Sequence, residues 1–330
     1  MSAARPPEGA RSEGEAEGTP VSAAGSSSKG IPASAIRQVA LIGLGNMGEP
    51  MLANLAKAGF QMKVYDMDAE RAARLALAHG ALACTDWRAL AEGTQVVVTM
   101  LPTGAIVRDV LLDAEGGLAA ALAAGTTVID MSSSEPTGSQ ALAGALAARG
   151  LHFVDAPVSG GVPGAVAGTL TIMAGAASPA QIDAVLPVFE AMGKRVFRTG
   201  GPGSGHAMKA LNNFVAAAAY TATAEALQIG ARFGLDEALM VDVLNVSTGR
   251  SFNSEIVFAP HVVTQRFATG FALGLLAKDV GIAAGLGEHL AVDAPVSRLV
   301  HRRWQQARAA LGDGVDQSRA LLAWHTPPQG

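Results

Sequence analysis

Apolar residues fall into short unbroken runs over the first 200 positions and into helical spacing beyond them. Residues 39–42, 62–65, 94–101, 126–131, 151–155 and 169–173 are runs of strand length. Runs that short and that continuous suit strands buried on both faces. Residues 49–58, 105–112, 117–123 and 135–149 lie between them with helix-like patterns, the first placing Met51, Leu52, Leu55 and Ala58 on one face. Alternation of this kind predicts a parallel sheet with helices on both sides. From His206 to Phe233 the chain holds no Gly or Pro except Gly230, which predicts one helix about 40 Å long. Residues 236–247, 255–266, 274–287, 295–311 and 317–324 continue the helical pattern. The expected fold class is an α/β Rossmann-type N-terminal domain followed by an all-α C-terminal domain built around a long interdomain helix. The glycine-rich stretch 200–205 is the expected junction, dividing residues 35–200 from 201–330.

Residues 1–34 are mostly Ser, Gly, Pro, Ala and Glu without apolar periodicity, and are expected to be a disordered tail. They lack the apolar core of a secretory signal. Glu8, Glu13, Glu15 and Glu17 outnumber Arg5 and Arg11, the reverse of a mitochondrial leader.

Composition narrows the function classes. Of 330 residues 49% are hydrophobic and 16% charged, enough apolar material for a large core. Lys and Arg number 24 against 28 acids, with no basic stripe, so no nucleic-acid partner is expected. The most lipid-like stretch, 214–231, is mostly Ala and is interrupted by Tyr220, Thr221, Thr223, Glu225 and Gln228, so no membrane span is expected. Cys84 is the single cysteine, which excludes an internal disulfide and a cysteine-based zinc site. It fits a reducing compartment, and a cytoplasmic location is the expectation. The seven histidines show no metal-ligand spacing, and no metal is expected.

The strand at 39–42 runs directly into Gly43-Leu44-Gly45-Asn46-Met47-Gly48, a G-x-G-x-x-G loop opening a helix. Gly43 allows the tight turn, Gly45 lets backbone approach a pyrophosphate, and Gly48 lets helix and strand pack closely. Free N–H groups and the dipole at the helix start then face the phosphates. The second strand ends at Asp66, about 20 residues on, where a carboxylate accepts hydrogen bonds from ribose hydroxyls. Its negative charge repels a 2′-phosphate, which favours NAD over NADP. Ligands in such sheets lie beyond the carboxyl ends of the strands, so residues 101–103 and 132–134 are expected at the cofactor.

Two further segments carry chemistry. Asp155-Ala156-Pro157-Val158-Ser159-Gly160-Gly161 offers a hydroxyl and uncovered backbone N–H groups, suited to a carboxylate or to an ordinary turn. Lys209 opens the long helix with Asn212 and Asn213 three and four positions on. A helical lysine is ordinarily a solvated charge. Here Ala207, Met208, Ala210, Leu211 and residues 214–219 make an apolar surround, in which burial would lower the lysine pKa towards the acid–base range.

With these residues in place the chain resembles the β-hydroxyacid dehydrogenases, the 3-hydroxyisobutyrate dehydrogenase family, over about residues 38–324. Residues 41–51 are similar to the family's N-terminal signature, which usually closes with Ser or Ala where Leu52 stands here. Asp155 to Gly161 resembles the substrate loop, Gly205 to Asn213 the catalytic helix, and Lys278-Asp279 the late K-D pair.

The resemblance implies Lys209 as general acid and base, with Asn213 orienting the reacting oxygen. It implies Ser159, Gly160, Gly161 and Asn212 at a small carboxylate substrate. It implies Gly43, Leu44, Gly45, Asn46, Met47, Gly48, Asp66, Leu101, Pro102, Ser133 and Lys278 at NAD. It also implies a homodimer or homotetramer and substrate tuning by residues 247–253, where Arg250 is either a partner for an extra anion or a solvated charge.

The implied activity interconverts a small 3-hydroxy acid and its semialdehyde. An NADPH-dependent semialdehyde reductase, such as tartronate semialdehyde reductase, is the alternative. Such relatives usually carry Asn-Arg where Asp66-Met67 stands. A catalytically inactive cofactor-binding scaffold is the reading from another class. Intact Lys209, Asn213 and Ser159 count against it.

Overall fold

The computed structural model describes residues 36–113 and 116–324; the tail expected over 1–34 lies outside them. The first strands are β1 (Gln38–Ile42), β2 (Gln61–Tyr65), β3 (Leu82–Ala83), β4 (Val96–Thr99), β5 (Thr127–Asp130) and β6 (His152–Asp155). They lie side by side in the order β3-β2-β1-β4-β5-β6, all parallel. The helices α1 (Gly48–Lys57), α2 (Ala69–His79), α3 (Trp87–Ala91), α4 (Gly104–Leu112) and α5 (Pro136–Ala147) cross between them. This order reverses between β1 and β4, and the crevice at such a reversal is where α/β sheets bind ligands.

Continuous apolar strands serve two cores at once. Val39 and Leu41 of β1 face one cluster with Met51, Leu52 and Leu55 of α1. Ala40 and Ile42 face the opposite cluster with Val107 and Leu111 of α4 and Leu142 and Leu146 of α5. Leu52, the departure from the family signature, is fully buried in the first core.

The sheet is mixed rather than wholly parallel. After β6 come β7 (Val158–Ser159), α6 (Gly161–Ala167) and β8 (Leu170–Ala176), with β8 antiparallel to both β6 and β7. Helices α7 (Pro179–Ala184) and α8 (Leu186–Met192) lead to β9 (Gly193–Gly200), which runs parallel to β8 at the edge. The connection from β6 to β8 spends its residues on β7 and α6, and β8 returns antiparallel to both strands before it.

The chain then enters α9 (Ser204–Phe233), 30 residues long, followed by α10 (Glu237–Asn245), α11 (Leu273–His289) and α12 (Pro295–Leu311). Their core is aromatic. Tyr220 lies 5.3 Å from Trp304 and 4.8 Å from Phe258, ring centre to ring centre. The Tyr220 hydroxyl donates to the Ser318 carbonyl and the Trp304 indole to Thr221 Oγ1, so both polar tips are satisfied in the interior.

Three expected α-helices take other forms. Residues 117–123 hold one 3-10 turn, Leu118–Ala120, and 317–324 hold the 3-10 segment Gln317–Ala323. Residues 255–266 become a π-helix, Asn253–Val262, with Pro260 inside it. Pro260 cannot donate a backbone hydrogen bond, and a wider turn accommodates that gap. Among the described residues no helix is long and apolar enough to cross a membrane.

Candidate active site

The glycine loop closes tightly onto the sheet. Gly43 has φ +93° and donates to the Tyr65 carbonyl at 3.0 Å. A Cβ on Gly48 would collide with the Gly43 carbonyl oxygen, whereas one on Gly45 would meet nothing within 4 Å. Gly45 and Asn46 are exposed, and Met47 caps α1 without a side-chain hydrogen bond. The loop therefore presents uncovered backbone and a helix start to solvent, the surface an anionic ligand needs.

Asp66, at the end of β2, is held beside this loop. Its Oδ2 accepts from Leu44 N at 2.7 Å and its Oδ1 from Asp68 N at 2.9 Å. The Arg71 guanidinium lies 3.5 Å from Oδ1. Each carboxylate oxygen has lone pairs to spare for hydroxyl donors. Open backbone at Gly45, an uncapped helix start and a fixed carboxylate together fit a dinucleotide.

The ends of β4 and β5 are tied to each other and to α11. Leu101 N donates to Ser132 Oγ at 2.9 Å. Asp130 is buried and accepts from Thr99 Oγ1, Ser132 N and Ser134 Oγ. Lys278 Nζ, from α11, donates to the Pro102 carbonyl at 3.0 Å and the Ser133 carbonyl at 2.8 Å. Three of the residues expected at the cofactor thus meet one another here.

Lys209 and Asn213 sit one turn apart on α9, facing Asp279 of α11. Asn213 is buried and its Nδ2 donates to Asp279 Oδ2 at 2.7 Å. Asp279 Oδ1 has no hydrogen-bond partner and lies 4.0 Å from Lys278 Nζ. Burial pushes the Lys209 ammonium below the usual lysine range; Asp279 opposes that and Lys278 adds to it. Burial likewise raises the Asp279 carboxyl, against the pull of Lys278, Lys209 and the Asn213 amide. Asn212 is exposed, and its Nδ2 donates to Asn213 Oδ1 at 3.2 Å.

Ser159 ends β7, paired with Thr171 of β8, and Gly160 (φ +125°) and Gly161 (φ +59°) turn the chain into α6. The start of α9 packs on the same β8, since a Cβ on Gly205 would collide with the Met173 carbonyl. Strand β8 thereby positions both the serine loop and the lysine helix. Arg250 pairs with Glu255 at 2.8 Å and is largely exposed. Cys84 is buried, and burial pushes its thiol up, away from reactivity.

Asp279 is the residue the sequence reasoning named without giving a role. Its signal was adjacency to Lys278; its burial against Asn213 depends on packing between α9 and α11.

Comparison with known proteins decides the family. Residues 38–201 match the family described as the NAD binding domain of 6-phosphogluconate dehydrogenase. Residues 203–324 match "NAD-binding of NADP-dependent 3-hydroxyisobutyrate dehydrogenase". The chain belongs to the β-hydroxyacid dehydrogenase family.

Among its relatives, the 2-(hydroxymethyl)glutarate dehydrogenase of Eubacterium barkeri is 37% identical over 87% of this chain and 94% of its own. The NAD-dependent L-serine dehydrogenase of Pseudomonas aeruginosa is 37% identical over 80% of this chain and 90% of its own. The structure of Mycobacterium tuberculosis 3-hydroxyisobutyrate dehydrogenase with L-serine superposes with TM-score 0.81 at 31% identity, over 88% of this chain and 100% of that one. This β-hydroxyacid dehydrogenase is accordingly an oxidoreductase acting on hydroxyl groups of hydroxy acids, and its cofactor is a nicotinamide dinucleotide.

Proposed function

We propose that this chain is an NAD-dependent dehydrogenase that interconverts a small 3-hydroxy acid and its semialdehyde, with Lys209 as general acid and base. The observation that carries this reading is the Lys209–Asn213–Asp279 cluster: a lysine pushed down by burial, one helical turn from a buried amide that a buried carboxylate holds in place.

The nicotinamide supplies or accepts the hydride when bound. Lys209 takes the hydroxyl proton in oxidation and returns it in reduction, and a pKa below the usual lysine range favours the neutral base that oxidation needs. Asn213 orients the reacting oxygen, its own rotamer fixed by Asp279. Ser159, Gly160 and Gly161 hold the substrate carboxylate, with Asn212 at the rim. Gly43 to Gly48, Leu101, Pro102, Ser133 and Lys278 hold the dinucleotide.

Asp66 beside the glycine loop supports NAD over NADP, because its carboxylate stands where a 2′-phosphate would bring like charge. Arg71 partly offsets that charge, so both cofactors belong in the assay.

Three of the relatives' names share a substrate core. 3-Hydroxyisobutyrate, L-serine and 2-(hydroxymethyl)glutarate are all 3-hydroxypropanoates and differ only in the group on C2. The proposed substrate for this chain has the same core.

We also propose a homodimer or homotetramer. Met208, Leu211 and Val215 form an exposed apolar stripe along α9, and Phe252 and Ile256 are exposed in the segment that Asn253 ties to the Ala216 carbonyl of α9.

The test is turnover, followed as reduced-nicotinamide absorbance, with NAD or NADP against 3-hydroxyisobutyrate, L-serine and 2-(hydroxymethyl)glutarate. NAD-dependent oxidation of at least one, cut by about a hundredfold or more in Lys209→Ala, is the expected result. Equal turnover by the Lys209→Ala variant would refute the lysine's role, and silence with all three would refute the substrate core.

A further inference from the structure

We propose that His206 is a positioning residue: it fixes the register between the lysine-bearing helix α9 and the cofactor-side loops after β4 and β5. This inference rests on the reading of Lys209 as the proton-transfer group.

His206 stands one turn before Lys209, about 4.5 Å back along the helix axis. Its ring is fully buried, and both nitrogens are engaged with other elements. Nε2 lies 3.0 Å from the Ser132 carbonyl oxygen, which can only accept, so Nε2 carries a proton and donates. Nδ1 pairs with Ser139 Oγ of α5 at 2.7 Å. The carboxylates of Asp130 and Asp155 flank the ring at 3.7 and 3.8 Å.

Ser132 is the junction that gives this contact its reach. Its hydroxyl holds Leu101 N, its own N–H is held by Asp130, and its carbonyl is held by His206. One residue of α9 is thereby bonded to the segment that links the ends of β4 and β5. Asp155 completes the seat from β6. Its Oδ1 accepts from Gly203 N at 2.7 Å and its Oδ2 from His206 N at 3.0 Å, which caps α9 from another element.

The seat has no slack. A Cβ on Gly205 would collide with the Met173 carbonyl and lie 2.7 Å from the Asp155 carbonyl. A Cβ on Gly175 would lie 2.7 Å from Asp155 Oδ1.

A buried histidine with two neutral partners is commonly only a packing element. The distinction here is direction: both ring bonds leave α9, and one ends on the loop expected at the dinucleotide. Lys209 must meet its substrate at a fixed distance from the hydride position, and a misplacement of about 1 Å can cost on the order of a hundredfold in rate.

The test uses the full chain with whichever of 3-hydroxyisobutyrate and L-serine turns over faster, and compares His206→Leu, His206→Gln, Ser139→Ala and Lys209→Ala. Circular dichroism establishes that each is folded at the assay temperature, and fluorescence titration gives the dissociation constant for NAD.

His206→Leu is expected to lose roughly ten- to hundredfold in kcat, with NAD affinity little changed and a larger deuterium isotope effect on kcat. His206→Gln is expected to recover most of kcat, because its amide N–H can reach the Ser132 carbonyl. Folded His206→Leu with parental kcat overturns the proposal, as does equal loss in the Gln and Leu variants. If His206→Leu does not fold, Ser139→Ala decides. A several-fold fall in kcat supports the positioning role and an unchanged kcat overturns it. Parental turnover in Lys209→Ala sinks the lysine reading itself, whatever the His206 variants do.

Discussion

The dinucleotide cradle and the lysine cluster are built by opposite means. The cradle comes from residues 38–66, nearly all of it backbone, and its carboxylate, Asp66, is fixed by the N–H groups of Leu44 and Asp68. The lysine cluster joins positions far apart, Lys209 and Asn213 on α9 with Asp279 on α11, while Lys278 reaches back to Pro102 and Ser133. The cradle rests on local backbone geometry, the turn at Gly43 and the close contact at Gly48. The cluster owes the lowered Lys209 pKa to desolvation, which exists only once two helices have packed.

Substitutions separate the two regions. Lys209→Ala is expected to have the largest effect on turnover, a loss of about 10² to 10⁴ in kcat. Isothermal titration should find NAD still bound, because the cradle contains no part of α9. Gly48→Ala is expected to do the reverse. Its new Cβ collides with the Gly43 carbonyl, so NAD affinity should fall on the order of tenfold or more, with a loss of about 1–3 kcal/mol in stability from the strained contact. Denaturant unfolding and NAD titration read both effects. Retained NAD affinity in Gly48→Ala would break the comparison at its first term.

Asp66→Ser is a smaller change that sharpens the cradle alone. Removing the carboxylate should raise relative use of NADP roughly five- to thirtyfold, by about 1–2 kcal/mol of relieved repulsion and lost ribose contact. The ratio of kcat/KM for the two cofactors measures it.

Asp279→Asn is the most limited change and touches only the cluster. Asp279 holds Lys209 up, so its neutralisation should move the Lys209 pKa further down. With Lys209 as the proposed base, oxidation needs its neutral form, and activity should rise with pH through that pKa. The rising limb should therefore shift to lower pH, as read from kcat/KM against pH.

The same contrast explains what was legible beforehand. Strand β1, the glycine loop, α1 and β2 are contiguous, and each has a local sequence cause. Four motifs placed the remaining candidate residues in order along the chain.

Strand β9 escaped, because Lys194, Arg195 and Arg198 give an exposed edge strand no apolar run to detect. The antiparallel return of β8 escaped because strand direction is set by the connection and not by the strand's own residues. The π-helix at 253–262 reads as ordinary helical spacing until Pro260 is placed within it. Asp279 and His206 are polar residues on helices, usually solvent-facing, and only tertiary packing buries them.

The most direct test of the central claim, that Lys209 moves the proton, is the pH dependence of kcat/KM for oxidation by the parent chain and by Lys209→Ala. The account predicts a rising limb for the parent centred clearly below the ordinary lysine value of about 10.4, and no such limb in the residual activity of Lys209→Ala. A limb in the ordinary lysine range, or one that persists in the variant, would contradict it.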